Sequence, residues 1–226
     1  MIATAKAVGK TNKSKTAKGE ETSVKIILAT LNIIKCEGMR GVRHRAVASE
    51  AGVPLGTTTY HFKNIEELIV SAFSYWRIQT DLWTNPLVVE IDEYLTNNAS
   101  RLIATKAGSQ ELATTIYHYV VNYEIDQIEN RHDNRIIELA FYHESLQNDL
   151  LREEVFAYWK NELIGLTRFY ELAHTSNPEA DARITQSIFH QLEREALMHG
   201  DDYNIDVIRN VLKRIVSIIF DATIEH

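Results

Sequence analysis

The sequence predicts an all-α protein, and two observations carry that prediction. Three prolines and nine glycines in 226 residues leave little punctuation. Over long stretches apolar residues recur every three or four positions, which is the helical period and not that of a strand. With 45% apolar residues the chain has enough core for one large or two modest domains. The longest apolar runs, VKIILATLNII and RIVSIIF, fall short of the about 18–20 residues a membrane span needs, and no tripartite leader is seen at the start. A soluble cytoplasmic protein with no membrane partner is expected. Cys36, the single cysteine, has no internal disulfide partner and reads as buried filler on an apolar helix in a reducing compartment.

The net charge of −7 conceals an uneven distribution. Residues 1–63 carry eleven Lys and Arg against four acids, whereas residues 64–226 carry thirteen against twenty-seven. The two parts therefore meet different partners. Residues 1–20 hold five lysines and no apolar periodicity, so they read as a flexible basic arm, either a solvated tail or one that follows a phosphate backbone.

Element by element, Val24, Ile27, Leu28, Leu31 and Ile34 form one helical stripe, with Thr22 or Ser23 as N-cap and Gly38 as the left-handed stop. A short second helix is expected at about 44–51, followed by Gly52 in the positive-φ conformation of a tight interhelical turn. A third, at 55–61, is too short to be stable alone. It contains Thr57, Thr58 and Thr59 in succession, a run of weak helix formers. With Thr58 and Phe62 turned inward beside Val47 and Val53, the face holding Thr57, Tyr60 and His61 is left for contact chemistry. Threonine offers a hydroxyl to a phosphate and a methyl to thymine, Tyr60 and His61 add donors, and Lys63 and Arg45 add charge. Helix, glycine turn and short polar helix describe a helix-turn-helix reader of double-stranded DNA.

The segment RHRAVASEAGVPLGTTTYHFKNIEELIVSAF resembles the amino-terminal DNA-binding domain of the tetracycline-repressor (TetR) family of bacterial transcription regulators. The resemblance spans about fifty residues. It rests on Gly38, Val47-Ala48, Ala51-Gly52-Val53, Gly56-Thr57, Tyr60-His61-Phe62 and Glu66-Glu67-Leu68, in order and at matching intervals. It implies DNA contacts at Leu55, Gly56, Thr57, Thr59, Tyr60 and His61, with Arg45 as the base reader. Two positions depart from the family pattern. Ile65 stands where many members carry a phosphate-binding lysine, so either Lys63 serves instead or that contact is absent. Arg43 replaces the usual Ser or Thr cap of the second helix; it cannot accept the orphan backbone donors but can reach a phosphate, and His44 beside it reads as an exposed helix-start residue or as a second phosphate contact.

The domain plan expected is an arm at 1–20, a helix-turn-helix three-helix domain at 21–65, and a helical-bundle ligand-binding and dimerisation domain at 66–226. A fourth helix at 65–84 places Leu68, Ile69, Ala72, Phe73 and Trp76 on one side, and further helices are read near 87–106, 110–129, 134–147, 150–174, 179–198 and 204–222. On the last, Val207, Ile208, Val211, Leu212, Ile215, Val216, Ile218 and Ile219 cover an arc of about 180°, where a single core needs only about 100°. The surplus predicts a homodimer interface built from Ile184, Ile188, Leu192, Ile208, Leu212, Ile215 and Ile219, against the alternative of a larger internal core. A dimer also suits a palindromic operator.

Aromatic and histidine residues gather between 117 and 190, and Tyr117, Tyr123, Phe141, Tyr142, Trp159, Phe169 and His174 are the candidates for lining a pocket for a small-molecule effector. The family's use of this domain to sense a ligand agrees with that reading. Neither a catalytic centre nor a cofactor is expected, because the chain has no glycine-rich phosphate loop, CxxC pair or nucleophile elbow. Glu171-Leu-Ala-His174 has the spacing of a helical di-iron ligand pair, but His190-x-x-Glu193 reverses the order and no second copy completes a metal site. A helical adaptor with an aromatic groove and, behind it, a helical-bundle metalloenzyme are the competing readings. The expectation is a ligand-responsive homodimeric repressor, since occluding a promoter requires no activation module.

Overall fold

The computed structural model describes residues 17–224, and among them the chain is helical without strands. The helices are α1 (Ala17–Glu37), α2 (His44–Ala51), α3 (Leu55–His61), α4 (Ile65–Gln79), α5 (Pro86–Leu102), α6 (Lys106–Asn130), α7 (His132–Ser145), α8 (Asp149–Leu172), α9 (Pro178–His199) and α10 (Asp206–Ile219). Short 3-10 turns occupy Met39–Gly41, Leu82–Thr84 and Gly200–Asp202.

α2 and α3 have the limits read from the sequence, but α1 and α4 do not. α1 is already helical at Ala17, so Thr22 and Ser23 lie inside it and cannot cap it; the remainder of the lysine arm, 1–16, falls outside the described residues. Its inward stripe is also rotated from the expected one. Ile26, Ile27, Thr30, Leu31, Ile33 and Ile34 are buried, whereas Leu28 is 49% exposed and Val24 is exposed too. Burial is decided by three neighbouring helices, since α1 packs on α2, α4 and α7. Cys36 is exposed rather than buried. α4 ends at Gln79, not 84, and the intervening Asp81 and Asn85 cap a 3-10 turn and α5 in succession.

Local capping sets most remaining starts. The side chains of Asn64, Asn85, Thr105, Asn148 and Asn177 accept hydrogen bonds from backbone N–H groups in the first turns of α4, α5, α6, α8 and α9. At α4 the cap is reciprocal: Glu67 N–H donates to Asn64 Oδ1 at 2.7 Å and Lys63 N–H donates to Glu67 Oε2 at 2.8 Å. Replacing Asn64 by alanine is expected to cost about 1 kcal/mol and to lower the melting temperature by about 2–4 °C, read from a thermal melt. Gly52, at φ 61° and ψ 39°, closes the α2–α3 turn in the left-handed region. Gly38 also has positive φ, at 70°, but with ψ −176° it lies in glycine's own extended region and not in the left-handed helix basin.

Among the described residues two large apolar cores result, with a small third cluster of Leu163, Tyr170 and Ala182. The first joins α1, α2, Phe62 and α4 to Ile137 and Phe141 of α7 and Leu151 of α8. All five α4 residues expected to face inward are buried in it. The second is built mainly by α5, α6, α9 and α10. α8 lies between them, packed on α4, α5, α7 and α9.

Candidate functional site

The amino-terminal site is a short helix held by its neighbours. Thr58 is 0% exposed, and its hydroxyl donates to the Leu55 carbonyl at 2.8 Å. Phe62 is buried beside it, with Val47 in the same core and Val53 packed against that core. Pinning those residues turns Leu55, Gly56, Thr59 and Tyr60 to solvent, with Thr57 and His61 half-exposed. Tyr60 is 78% exposed, and its ring meets His61 edge-on at 5.3 Å. The run of threonines is therefore divided: Thr58 satisfies its own hydroxyl inside, while Thr59 sits outside with a longer bond, 3.2 Å, to the Gly56 carbonyl.

Arg43, Arg45 and Lys63 are exposed beside this face. Arg43 occupies the N-cap position of α2 and makes no side-chain cap, as its chemistry requires. His44 departs from the expected exposed helix-start residue: it is half-buried, and its Nδ1 is buried with no hydrogen-bond partner among the described residues. The Ile65 side chain packs against the core shared by α1, α2 and α4. A helix-turn-helix with an exposed polar helix and a basic margin is a nucleic-acid-reading arrangement.

The body holds two apolar cavities with one charged wall in common. The larger, of about 360 Å³, lies between α4, α7, α8 and α9; the smaller, about 90 Å³, lies towards α5 and α6. Arg135, Glu162, His190 and Glu193 border both. Of the seven pocket candidates, Phe141, Tyr142 and Trp159 line the larger cavity and Tyr123 and Phe169 the smaller. Tyr117 and His174 line neither. Tyr117 is buried in the second core, and His174 sits beyond the end of α8 at φ 56°, exposed, with Nε2 3.1 Å from the Ser100 hydroxyl. The positive φ at His174 also takes it off the helix face it was expected to share with Glu171. Trp83, which borders the smaller cavity, rests where Gly165 has no side chain; a Cβ there would overlap its ring.

Sequence reasoning missed the charged wall. Arg135 Nη1 lies 2.8 Å from Glu138 Oε2 and 3.0 Å from Glu193 Oε1. Burial and the neighbouring Glu138 carboxylate push the Glu162 carboxyl up to about 8. Burial likewise pushes Glu193 up to about 7, against the pull of Arg135. His190 is held below its ordinary value by burial. Ligand atoms of Glu138, Glu162 and His190 come within 4.8 Å of one another, a cluster that the local Glu-x-x-His search could not find because it draws on three helices. The available signal was the acids at helical core positions, Glu138, Glu162 and Glu193, in otherwise apolar stripes.

The expected dimer residues divide likewise. Leu192, Ile208 and Leu212 are buried in the protomer's own core and offer no surface to a mate. Ile184 is exposed, and Ile188, Ile215 and Ile219 are half-buried, with Val207 and Ile218 exposed nearby. The wide arc of α10 is thus partly internal core and partly open face.

Head and body together define a helical regulator of the one-chain type, a DNA reader fused to a bundle with cavities. Residues 26–72 match the family described as bacterial regulatory proteins, tetR family, so the likeness in sequence lies in the amino-terminal domain. No curated protein matches the chain. Among solved structures, a TetR-family member from Streptomyces coelicolor A3 has 22% identity and a TM-score of 0.58, covering 86% of this chain and 98% of its own. A transcriptional regulator from Saccharomonospora viridis, in complex with choline, has 17% identity and a TM-score of 0.64, covering 88% and 96%. The multidrug binding protein EbrR, complexed with imidazole, has 22% identity and a TM-score of 0.55, covering 86% and 89%. At these identities the likeness is one of fold. Among the described residues no helix is long and apolar enough to cross a membrane.

Proposed function

We propose that the protein is a cytoplasmic, homodimeric repressor that binds a palindromic operator and is released by a small molecule held in its body. The observation that carries this reading is the polar outer face of α3, displayed by the buried Thr58 and Phe62. In the major groove, Thr57, Thr59 and Tyr60 supply hydroxyls to phosphates and base edges, while Arg45 offers a bidentate fork to guanine. Two heads on a twofold axis would read two half-sites. The open face of Ile184, Ile188, Ile215, Ile218 and Ile219 supports pairing of two copies. Choline and imidazole bound by structural neighbours support a ligand in the bundle. The first core offers a route for its effect, because Phe73 and Trp76 of α4 line the larger cavity while the same helix packs on α1 of the head.

The test is selection of DNA from a random pool, followed by gel shifts on the recovered sequence. An inverted repeat bound in a salt-dependent way is expected. Arg45→Ala and Thr57→Ala should leave the melting temperature unchanged, and Arg45→Ala should weaken specific binding by about 1–3 kcal/mol, roughly 5- to 150-fold. Recovery of no common sequence, or full affinity in both variants, would remove the reading.

A further inference from the structure

The larger cavity has walls of two kinds. Phe73, Trp76, Phe141 and Tyr158 form an aromatic cluster with ring centroids 5.2–6.0 Å apart. Opposite chemistry enters from α7, α8 and α9, where Glu138, Glu162 and Glu193 border the same space. Inside, among the described residues, Arg135 answers these acids, its Nη1 already shared between Glu138 and Glu193. The other bordering arginines are spent at the exposed rim. Arg152 pairs with Asp149 and donates to the Ser145 and Leu146 carbonyls, and Arg194 donates to Gln191. Glu162 has the Tyr158 phenol beside it and feels the Arg135 charge, but among the described residues it makes no direct ion pair.

We infer that this cavity takes an organic monocation, a quaternary or protonated amine on an apolar body, with its charge against Glu162 and Glu138 and its body in the aromatic cluster. Rings present their negative faces to such a charge, so both walls attract the same ligand. A second observation points to an occupant. Trp76, 2% exposed and lining the cavity, has an indole N–H buried without an acceptor among the described residues. An oxygen on the ligand body would satisfy it. A metal ion fits less well at Glu138, Glu162 and His190, because the guanidinium 2.8 Å from Glu138 competes for its carboxylate and about 360 Å³ of largely aromatic-walled space supplies no ligands opposite. An anion would meet three acids and an arginine already engaged. The exposed Tyr142, Leu146, Phe156 and Trp159 border the cavity and make its mouth.

The inference rests on the ligand-responsive reading above, and it is tested without DNA, so that its failure leaves operator binding to be judged separately by gel shift. The full chain is titrated at pH 8 with phenyltrimethylammonium and with tert-butylbenzene, which replaces the charged nitrogen by carbon at nearly the same shape. Binding is followed by tryptophan fluorescence, since Trp76 and Trp159 line the cavity. The wild type should favour the cation at least tenfold. Glu162→Gln should bring the two affinities close together while keeping that for tert-butylbenzene, which also shows the cavity is intact; Glu138→Gln should reduce the preference in the same direction. Equal affinities in the wild type, or a preference untouched in both variants, would overturn the inference. So would zinc chloride binding more tightly than the organic cation and losing that binding in His190→Ala, an outcome that assigns the cluster to a metal.

Discussion

Truncating Phe141 to alanine is expected to lower the unfolding free energy by about 3–5 kcal/mol, the range for removing a fully buried phenylalanine. Phe141 belongs to the body, on α7, yet it lies in the core that contains the head. Its ring meets Phe73 edge-on at 5.2 Å and Trp76 at 5.9 Å, so α4 loses both supports at once. The deletion also enlarges a cavity that already exists, which limits how far neighbours can collapse to fill it. Chemical denaturation followed by circular dichroism measures the loss. A cost below about 1 kcal/mol would mean that head and body do not share a cooperative core.

Replacing Glu124 should have the opposite sign. Its carboxyl is 0% exposed on α6, and both oxygens lack hydrogen-bond partners among the described residues. Burial, with the nearby Glu193 adding repulsion, holds it well above the usual carboxylate range. Because the folded state keeps a proton that the unfolded chain releases, this group costs nothing below the unfolded value, near 4.5, and destabilises increasingly as the pH rises towards its folded value. Glu162, at about 8, and Glu193, at about 7, act in the same direction. The wild type should therefore melt lower at pH 8 than at pH 5. Glu124→Gln should flatten that dependence, and Glu124→Met, which removes the unpaired polar group at similar volume, should raise stability by about 1–3 kcal/mol. Parallel pH profiles for wild type and Glu124→Gln, or a loss of stability in Glu124→Met, would show that the carboxyl has a partner it needs.

The legible parts of this protein are those in which a few consecutive residues contain their own physics. Gly52 needs positive φ, and Thr58 and Phe62 lie four residues apart on the face that must turn inward. Those features set α2, α3 and the display of Thr57, Thr59 and Tyr60 without reference to the rest of the chain. The inward face of α4 could be read for the same reason, its five apolar residues recurring at a single helical period. The caps were not legible: α1 begins at Ala17, before Thr22, and the caps at Asn64, Asn85, Thr105, Asn148 and Asn177 emerge only from where the chain turns into each helix.

By itself, then, the sequence determined the helical class, the head and its exposed face, since each depends on spacings of three or four residues along one helix. Only the tertiary structure decided which side of α1 is inside, which part of α10 remains open, and that Glu138, Glu162 and His190 meet. Those outcomes depend on which helices lie against one another. Burial of an α1 or α10 residue follows from the number of neighbours around it, and the meeting of acids from α7 and α8 with a histidine from α9 is a matter of packing that no period along a single helix encodes.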